Sequence, residues 1–261
     1  MERNDAGVRP GANDYILETR GLTMEFRGFV AVRDVDLNVR RHTIHALIGP
    51  NGAGKTTCFN LLTKFLTPTA GSIVFNGQDV TRTGPAAMAR LGMVRSFQIS
   101  SIFSHLTVIE NVRVALQRKL GTSFHFWKAK RSLYPLHARA DELIEWVGLE
   151  AYRDVPAGDL SYGRKRVLEL ATTLALDPEL LLLDEPMAGL GHEDIDRVAE
   201  LIRRVSDGRS VLMVEHNLDV VSDLSDTITV LTRGSILAEG DYDSVSRNPA
   251  VREAYIGGVH A

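Results

Sequence analysis

At residues 49–57 the chain reads Gly49-Pro50-Asn51-Gly52-Ala53-Gly54-Lys55-Thr56-Thr57. This run fits the pattern G-x-x-x-x-G-K-[ST], which is typical of a loop that holds phosphate groups. Residues 43–48 read as a short buried strand, and residues 58–62 carry apolar groups at helical spacing. The order of strand, glycine-rich loop and helix is the context that the motif requires, and it favours a phosphate loop over a glycine turn with a chance lysine.

The phosphate loop predicts a role for several of its residues. Gly52 and Gly54 allow the backbone to close around an anion because they carry no Cβ. The free N–H groups of the loop and the positive end of the following helix then face the phosphates. Lys55 is expected to reach the β- and γ-phosphates of a nucleotide, and the hydroxyl of Thr56 is expected to bind Mg²⁺.

A second signal is an apolar run that ends in two acids, Leu180-Leu181-Leu182-Leu183-Asp184-Glu185-Pro186. Such a run is typical of a buried parallel strand, and its acids fall at the sheet edge where open α/β sheets bind ligands. Asp184 is therefore expected to join the Mg²⁺ shell, and Glu185 to lie beside the γ-phosphate. The apolar strand 211–214 delivers Glu215-His216 to the same edge, which makes His216 a candidate contact to the γ-phosphate.

Composition excludes some classes of function. The chain has 261 residues, of which 44% are hydrophobic and 24% charged, as in an ordinary globular protein. Its formal net charge of −3 gives no electrostatic case for a nucleic-acid partner. The single cysteine, Cys58, cannot form an internal disulfide, which suits a reducing compartment. No run of about 18 or more apolar residues occurs, and residues 1–13 lack the apolar core of a secretory signal peptide. If the protein functions at a membrane, it is therefore expected to do so through partner chains.

The pattern of strands and helices predicts one α/β domain after a disordered lead at residues 1–13. The opening is rich in strands of antiparallel character, predicted at 15–19, 22–26, 30–32 and 35–39 with a break at Gly21. Strand patterns are absent from about residue 99 to 158, where helices are predicted at 108–116, with Thr107 as the cap, and at 138–147. Residues 124–131 mix basic and aromatic side chains, and we interpret them as an exposed helix rather than a surface for single-stranded nucleic acid or membrane.

These predictions give a domain of residues 14–261 with three parts, the first of which is formed by two segments. They are a nucleotide-binding core at 14–98 and 166–245, a helical insertion at about 99–165 and a tail at 246–261.

A further motif, Leu160-Ser161-Tyr162-Gly163-Arg164, lies between the helical region and the acidic pair. Together with the phosphate loop and the run 180–185, it resembles the nucleotide-binding subunits of ABC transporters, and the resemblance covers about residues 14–260. That family carries L-S-G-G-Q at this place. Tyr162 stands where the family has its first glycine and Arg164 where it has glutamine, whereas Ser161 and Gly163, which contact the γ-phosphate in the family, are kept.

The resemblance implies a P-loop (RecA-like) core with an antiparallel β subdomain and an inserted helical subdomain. It also assigns roles to residues whose types alone leave them open. From the sequence alone, Phe26 could equally be a buried core residue or an aromatic that stacks on a base. The resemblance implies that it stacks on adenine. Gln98 is implied to sense Mg²⁺ and the attacking water, Glu185 to act as the general base, and His216 to hold the γ-phosphate.

The resemblance further implies how the subunit works with partners. In the family two ATPase subunits, identical or paralogous, pair head to tail, and each ATP lies between the phosphate loop of one and residues 161–163 of the other. Two membrane permease subunits and, indirectly, a solute-binding protein complete the system. The ATPase is then peripheral, on the cytoplasmic face of the membrane.

Several stretches are most similar to the ATPases of branched-chain amino acid importers. They are Arg95–Gln98, Leu106–Val112, Val214–Asn217 and Asn248–Gly257. Urea importers and ATPases that extract lipid or lipopolysaccharide are close relatives, so these remain alternatives. ABC ATPases of DNA repair or translation carry long coiled-coil insertions or two fused halves, and this chain has neither.

The region from Gln98 to about Val112 is expected to form the surface that docks on a permease. Its apolar residues are Ile99, Ile102, Phe103 and Leu106. They could line a groove that receives a helix of the partner, or they could instead pack the insertion against the core.

Overall fold

The computed structural model describes residues 14–96, 102–119 and 134–256. Its strands are β1 (Tyr15–Phe26), β2 (Phe29–Val35), β3 (Asn38–Arg40), β4 (Ile44–Ile48), β5 (Ala70–Phe75), β6 (Gln78–Asp79), β7 (Met93–Arg95), β8 (Leu180–Asp184), β9 (Ser210–Val214), β10 (Thr227–Thr232) and β11 (Ser235–Gly240). Its helices are α1 (Lys55–Leu62), α2 (Pro85–Leu91), α3 (Val108–Lys119), α4 (Tyr134–Trp146), α5 (Tyr162–Leu174), α6 (His192–Ser206), α7 (Leu218–Leu224), α8 (Tyr242–Arg247) and α9 (Pro249–Ile256). The predicted disordered lead at 1–13 lies outside the described residues.

The first sheet is antiparallel, as the sequence predicts, with the order β2-β1-β5-β6 and with β3 also paired to β1. Two predicted boundaries are wrong. β1 runs unbroken through Gly21, and the alternating segment 35–39 divides between β2 and β3. Both differences arise because β2 pairs with the second half of β1 and β3 with the first half. At the crossover the N–H of Gly21 donates to the carboxylate of Asp36 at 2.6 Å instead of to a strand.

The second sheet carries the parallel strands that the apolar runs predict. Its order is β11-β10-β4-β9-β8-β7, and only β11 runs antiparallel to its neighbour. β4 and β9 are buried along their whole length, and β8 is buried up to Asp184. The phosphate loop follows β4, Asp184 ends β8 and Glu215 follows β9, so parallel pairing brings all three to one edge of the sheet.

Alternate residues of the parallel strands face two different hydrophobic clusters, as the two-residue period of a strand requires. Leu180 and Leu182 pack with α1 and the first sheet. Leu181 and Leu183 pack with α5, α6 and the helical insertion. The sheet that carries the site edge is therefore covered on both faces.

Thr107 caps α3, the first described helix of the helical insertion, as the sequence predicts. The N–H of Thr107 donates to the carboxylate of Glu110 at 2.9 Å, and the N–H of Glu110 donates to the hydroxyl of Thr107 at 3.4 Å, which is a capping box. The next helix, α4, begins before its predicted start at 138. The predicted exposed helix at 124–131 lies outside the described residues. Within the described ranges, no helix has both the length and the apolar character that crossing a membrane requires.

Candidate active site

The phosphate loop joins the end of β4 to the start of α1, and close approaches of the backbone require two of its glycines, Gly49 and Gly54. Gly54, with φ 101°, is so near β2 that a Cβ would lie 2.6 Å from the carbonyl oxygen of Ala31. A Cβ on Gly49 would lie 2.1 Å from the carbonyl oxygen of Leu231. At Gly52 a Cβ would meet nothing within 4 Å. Gly54 is thus needed for packing against the protein itself, a reason that the sequence pattern did not give.

Lys55 lies across the phosphate loop. Its Nζ donates to the carbonyl oxygens of Gly49 at 2.7 Å and Pro50 at 3.1 Å. Burial lowers the pKa of this ammonium group, while the nearby carboxylates of Glu185 and Asp184 oppose that effect. The structure therefore brings the phosphate loop and the acidic edge of β8 close together.

Asp184 forms an ion pair with Arg95, the last residue of β7, and both side chains are mostly buried. The other amino nitrogen of Arg95 donates to the side-chain oxygen of Asn60 at 2.8 Å, and its guanidinium lies 5.8 Å from the ring centre of Phe59. Sequence reasoning missed Arg95 as part of the site. Its only signal was its place at the end of a short strand, because Asp184 is far away along the chain.

The donor set at this edge fits Mg²⁺. Thr56 is exposed in the first turn of α1 and offers a hydroxyl oxygen, while Asp184 offers carboxylate oxygens. Mg²⁺ usually keeps several waters and binds through one or two carboxylates plus substrate phosphates. Accordingly, the described residues contain no group of three or more His, Cys, Asp or Glu side chains that could hold a metal by themselves.

The predicted base and the predicted histidine lie near one another. Glu185 follows β8 with a left-handed φ of 47°, and its side chain is half-exposed. His216 Nδ1 lies 4.0 Å from Glu185 Oε1 and 3.7 Å from Glu215 Oε2. Both side chains are open to solvent, 49% exposed for Glu185 and 63% for His216.

The signature residues lie at the start of α5. Ser161 is the N-cap of this helix, and its Oγ accepts a hydrogen bond from the N–H of Arg164 at 3.4 Å. A Cβ on Gly163 would lie 2.1 Å from the carboxylate of Asp194, so a larger residue where α5 meets α6 would require that side chain to move. Leu160, just before the cap, is buried in the core.

The two departures from the L-S-G-G-Q pattern each make a local contact. The hydroxyl of Tyr162 donates to the carbonyl oxygen of Ala188 at 3.3 Å, which ties the signature to the loop after Glu185. The guanidinium of Arg164 lies 4.1 Å from the ring centre of Tyr152. Arg164 thus has a cation–π partner within its own subunit.

Two predicted site residues lie at the margins of the described structure. Phe26, at the end of β1, is 41% exposed, so it is not a buried core residue, and its stacking on adenine stays a prediction. Gln98 lies outside the described residues. The chain approaches it from Ser96, whose N–H donates to the carbonyl oxygen of Leu182 at 2.9 Å.

A residue of the tail also reaches the phosphate loop. Tyr255 on α9 packs against the core and accepts a hydrogen bond from the backbone of Gly49. Burial raises the pKa of its phenol to about 12, and the hydrogen bond lowers that pKa by a smaller amount. Sequence reasoning assigned the tail to no site. Nothing in the local pattern of α9 indicates that it folds back to residue 49.

Comparison with known proteins agrees with this geometry. The model of the ABC transporter family matches residues 32–188. The chain belongs to the ABC transporter family. A second family model, that of the branched-chain amino acid ATP-binding cassette transporter, matches residues 235–261, which contain β11, α8 and α9.

Similar proteins share both sequence and fold with this ABC subunit. The branched-chain amino acid transport ATP-binding protein BraF of Pseudomonas aeruginosa is 39% identical, and the alignment covers 93% of this chain and 98% of BraF. The corresponding LivG of Escherichia coli K12 is 38% identical with the same coverage. A nucleotide-free ATP-binding cassette from an ABC transporter superposes with a TM-score of 0.82 at 30% identity, over 93% of this chain and 99% of that chain.

The fold is accordingly the α/β P-loop cassette that the resemblance implied. The chain is the ATP-binding and ATP-hydrolysing subunit of an ABC transporter, homologous to the ATPases of branched-chain amino acid importers.

Proposed function

We propose that this ABC ATPase powers import of a branched-chain amino acid, or of a related small organic solute, through separate permease subunits. The observation that carries the proposal is the similarity to BraF and LivG along 93% of the chain. The match of residues 235–261 to the branched-chain family model supports it at the end of the chain.

ATP in this proposal lies on the phosphate loop, with its adenine stacked on Phe26. Lys55 leaves the loop carbonyls that it now contacts and binds the β- and γ-phosphates, since phosphate is a stronger acceptor for an ammonium group than a neutral carbonyl. Loop N–H groups and the N-terminus of α1 face the same phosphates. Thr56, Asp184 and Gln98 would hold Mg²⁺, which when bound neutralises phosphate charge.

Hydrolysis is assigned to the residues after β8 and β9. Glu185 accepts a proton from the water that attacks the γ-phosphate in line. His216 binds the γ-phosphate and keeps Glu185 oriented, which their separation of 4.0 Å supports. Lys55 stabilises the charge that develops on the transferred phosphoryl group.

A second ATPase subunit completes each site. Residues 161–163 of the partner are proposed to bind the γ-phosphate through the start of α5, where Ser161 is the cap. ATP then contributes contacts across the interface, and loss of the γ-phosphate lets the pair open. The pair is proposed to act on the cytoplasmic face of the membrane, attached through two permease subunits and indirectly dependent on a solute-binding protein.

Co-purification tests this proposal directly. The tagged subunit is expressed with its neighbouring genes, the membrane partners are captured, and the associated binding protein is screened for ligands by calorimetry. Leucine, isoleucine or valine as the tightest ligand is the expected result. A urea or amide ligand would assign the chain to a urea importer. Membrane partners that bind lipid, with no solute-binding protein, would contradict the proposal that the system is an importer.

A further inference from the structure

Glu215 is a buried carboxylate that joins the two loops of the catalytic edge. It follows β9 directly, and its side chain is 0% exposed. Its Oε2 accepts from the N–H groups of His216 at 2.7 Å and Asn217 at 3.0 Å, and its Oε1 accepts from the N–H of Met187 at 3.2 Å. Burying a carboxylate is costly, and these three donors offset that cost.

The carboxylate acts where the ladder between β8 and β9 ends. The last paired residues are Asp184 and Val214, after which the N–H of Glu185 donates to the carbonyl oxygen of Val214 at 2.9 Å. Beyond that bond, the side chain of Glu215 connects the segment after β9 to Met187 in the segment after β8. One oxygen therefore holds the loop that carries Glu185, and the other holds the turn that carries His216.

Capping of the following helix does not account for this arrangement. α7 begins after Asn217, whose side-chain oxygen accepts from the N–H groups of Asp219 at 3.1 Å and Val220 at 3.3 Å. The helix thus has its own cap. The donors to Glu215 lie before the helix and in the neighbouring loop, so the carboxylate has a separate role.

We propose that Glu215 is a positioning residue for ATP hydrolysis, which fixes the turn of His216 relative to the loop of Glu185. The inference rests on the proposed roles of Glu185 and His216. The carboxylate suits this task because both of its oxygens accept hydrogen bonds, whereas glutamine offers one accepting oxygen and one donating NH₂ group. Glu215→Gln must therefore break the connection to one of the two loops.

The test compares Glu215→Gln with Asn217→Ala in the full chain. Glu215→Gln is expected to lower kcat by about 10- to 100-fold, because misplacing reacting groups by about 1 Å has an effect of that order. Its affinity for a fluorescent ATP analogue without Mg²⁺ should stay within about threefold, since the N–H groups that donate to the carboxylate, those of Met187, His216 and Asn217, lie outside the phosphate loop. Asn217→Ala removes the neighbouring cap, so it should lower thermal stability yet keep kcat within about twofold.

Three results separate the outcomes. Equal losses of kcat in Glu215→Gln and Asn217→Ala would overturn the proposal, because both would then reflect local stability alone. Wild-type kcat in Glu215→Gln, with turnover abolished in Glu185→Gln, would overturn the positioning role and leave the catalytic assignment intact. Normal turnover in Glu185→Gln would instead contradict the proposed function itself.

A second variant, Glu215→Asp, tests the same proposal if Glu215→Gln does not fold. Glu215→Asp retains the charge but is one methylene shorter, so it can hold the turn of His216 but not also the loop of Met187. It is expected to lower kcat with little change in nucleotide affinity. Wild-type kcat in this variant would overturn the proposal.

Discussion

The guanidinium of Arg95 forms an ion pair with the carboxylate of Asp184 at the edge where β7 and β8 lie side by side. Because both side chains are mostly buried, removing the cation deprives a largely buried carboxylate of its ion-pair partner. Arg95→Gln is therefore expected to lower the free energy of unfolding by about 2–3 kcal/mol in urea titrations. Arg20→Gln is the control, because the Arg20–Glu18 pair is exposed on its arginine side and should contribute less than about 0.5 kcal/mol. Equal effects of the two changes would contradict this account.

Glu169, buried in α5, should make stability depend on pH. Burial raises the pKa of its carboxyl from 4.5 to about 7, although Arg166 donates to it at 3.0 Å and opposes the effect. A raised pKa means that the folded state binds the proton more tightly, so this contribution is present at low pH and is lost as pH rises from about 4.5 to 7. The shift corresponds to a loss on the order of 3 kcal/mol.

Glu169→Gln mimics the protonated form and removes this dependence. The variant should match the wild type near pH 4.5 and exceed it in free energy of unfolding at pH 8, as measured by urea titration at both values. A variant that is less stable than the wild type at pH 8 would show that the ion pair with Arg166 outweighs the cost of burial.

Phe103 and Ile102 allow two possible roles of their region to be tested separately, docking on a permease and packing of the insertion against the core. Phe103 is 55% exposed, whereas Ile102 packs against the core. Phe103→Glu is expected to weaken capture of the permease subunits at least tenfold and to leave nucleotide affinity unchanged. Ile102→Ala should instead lower the free energy of unfolding by roughly 1–2 kcal/mol. Normal assembly of a complex with Phe103→Glu would exclude this surface from docking.

Ser161 should act on the nucleotide of the partner subunit. Mixing Lys55→Ala chains with Ser161→Arg chains gives heterodimers in which one site lacks both groups and the other is intact. The mixture should hydrolyse ATP faster than either variant alone. Ser161→Ala serves as a stability control, because losing the cap of α5 alone is expected to cost about 1 kcal/mol.

Absence of activity in the mixture has two explanations, strict coupling of the sites or a wrong assignment in trans. Crosslinking separates them. Asn51 in the phosphate loop is exposed, and both Asn51 and Ser161 are replaced by cysteine so that the two positions can be crosslinked between subunits. The native Cys58 will not interfere, because burial raises the pKa of its thiol to about 12. ATP-dependent crosslinking between chains would support the trans assignment, and its absence would contradict it.

The sequence predicts those parts of the fold that local pattern determines. The phosphate loop, the parallel strand at 180–184 and the helix cap at Thr107 follow from apolar periodicity, glycine spacing and cap chemistry. α7 was missed, although Asn217 before an acidic first turn is a signal for a helix start. The continuity of β1 through Gly21 was also missed, because it depends on which strands pair with each half.

The polar connections within the site could not be predicted, because they join residues that are distant in sequence. Arg95 meets Asp184 only once β7 pairs with β8, and Glu215 meets Met187 only where the ladder of β8 and β9 ends. Tyr162 reaches Ala188 across the start of α5. Local composition carries no record of such contacts.

Glu185→Gln tests most directly the claim that the acidic edge of β8 carries out hydrolysis. The affinity for ATP and the rate of phosphate release are measured on the same preparation. Phosphate release should fall at least about 100-fold, because the base is lost, while the affinity for ATP stays within about threefold. Phosphate release within twofold of the wild type, by a folded variant that binds ATP, would contradict the account.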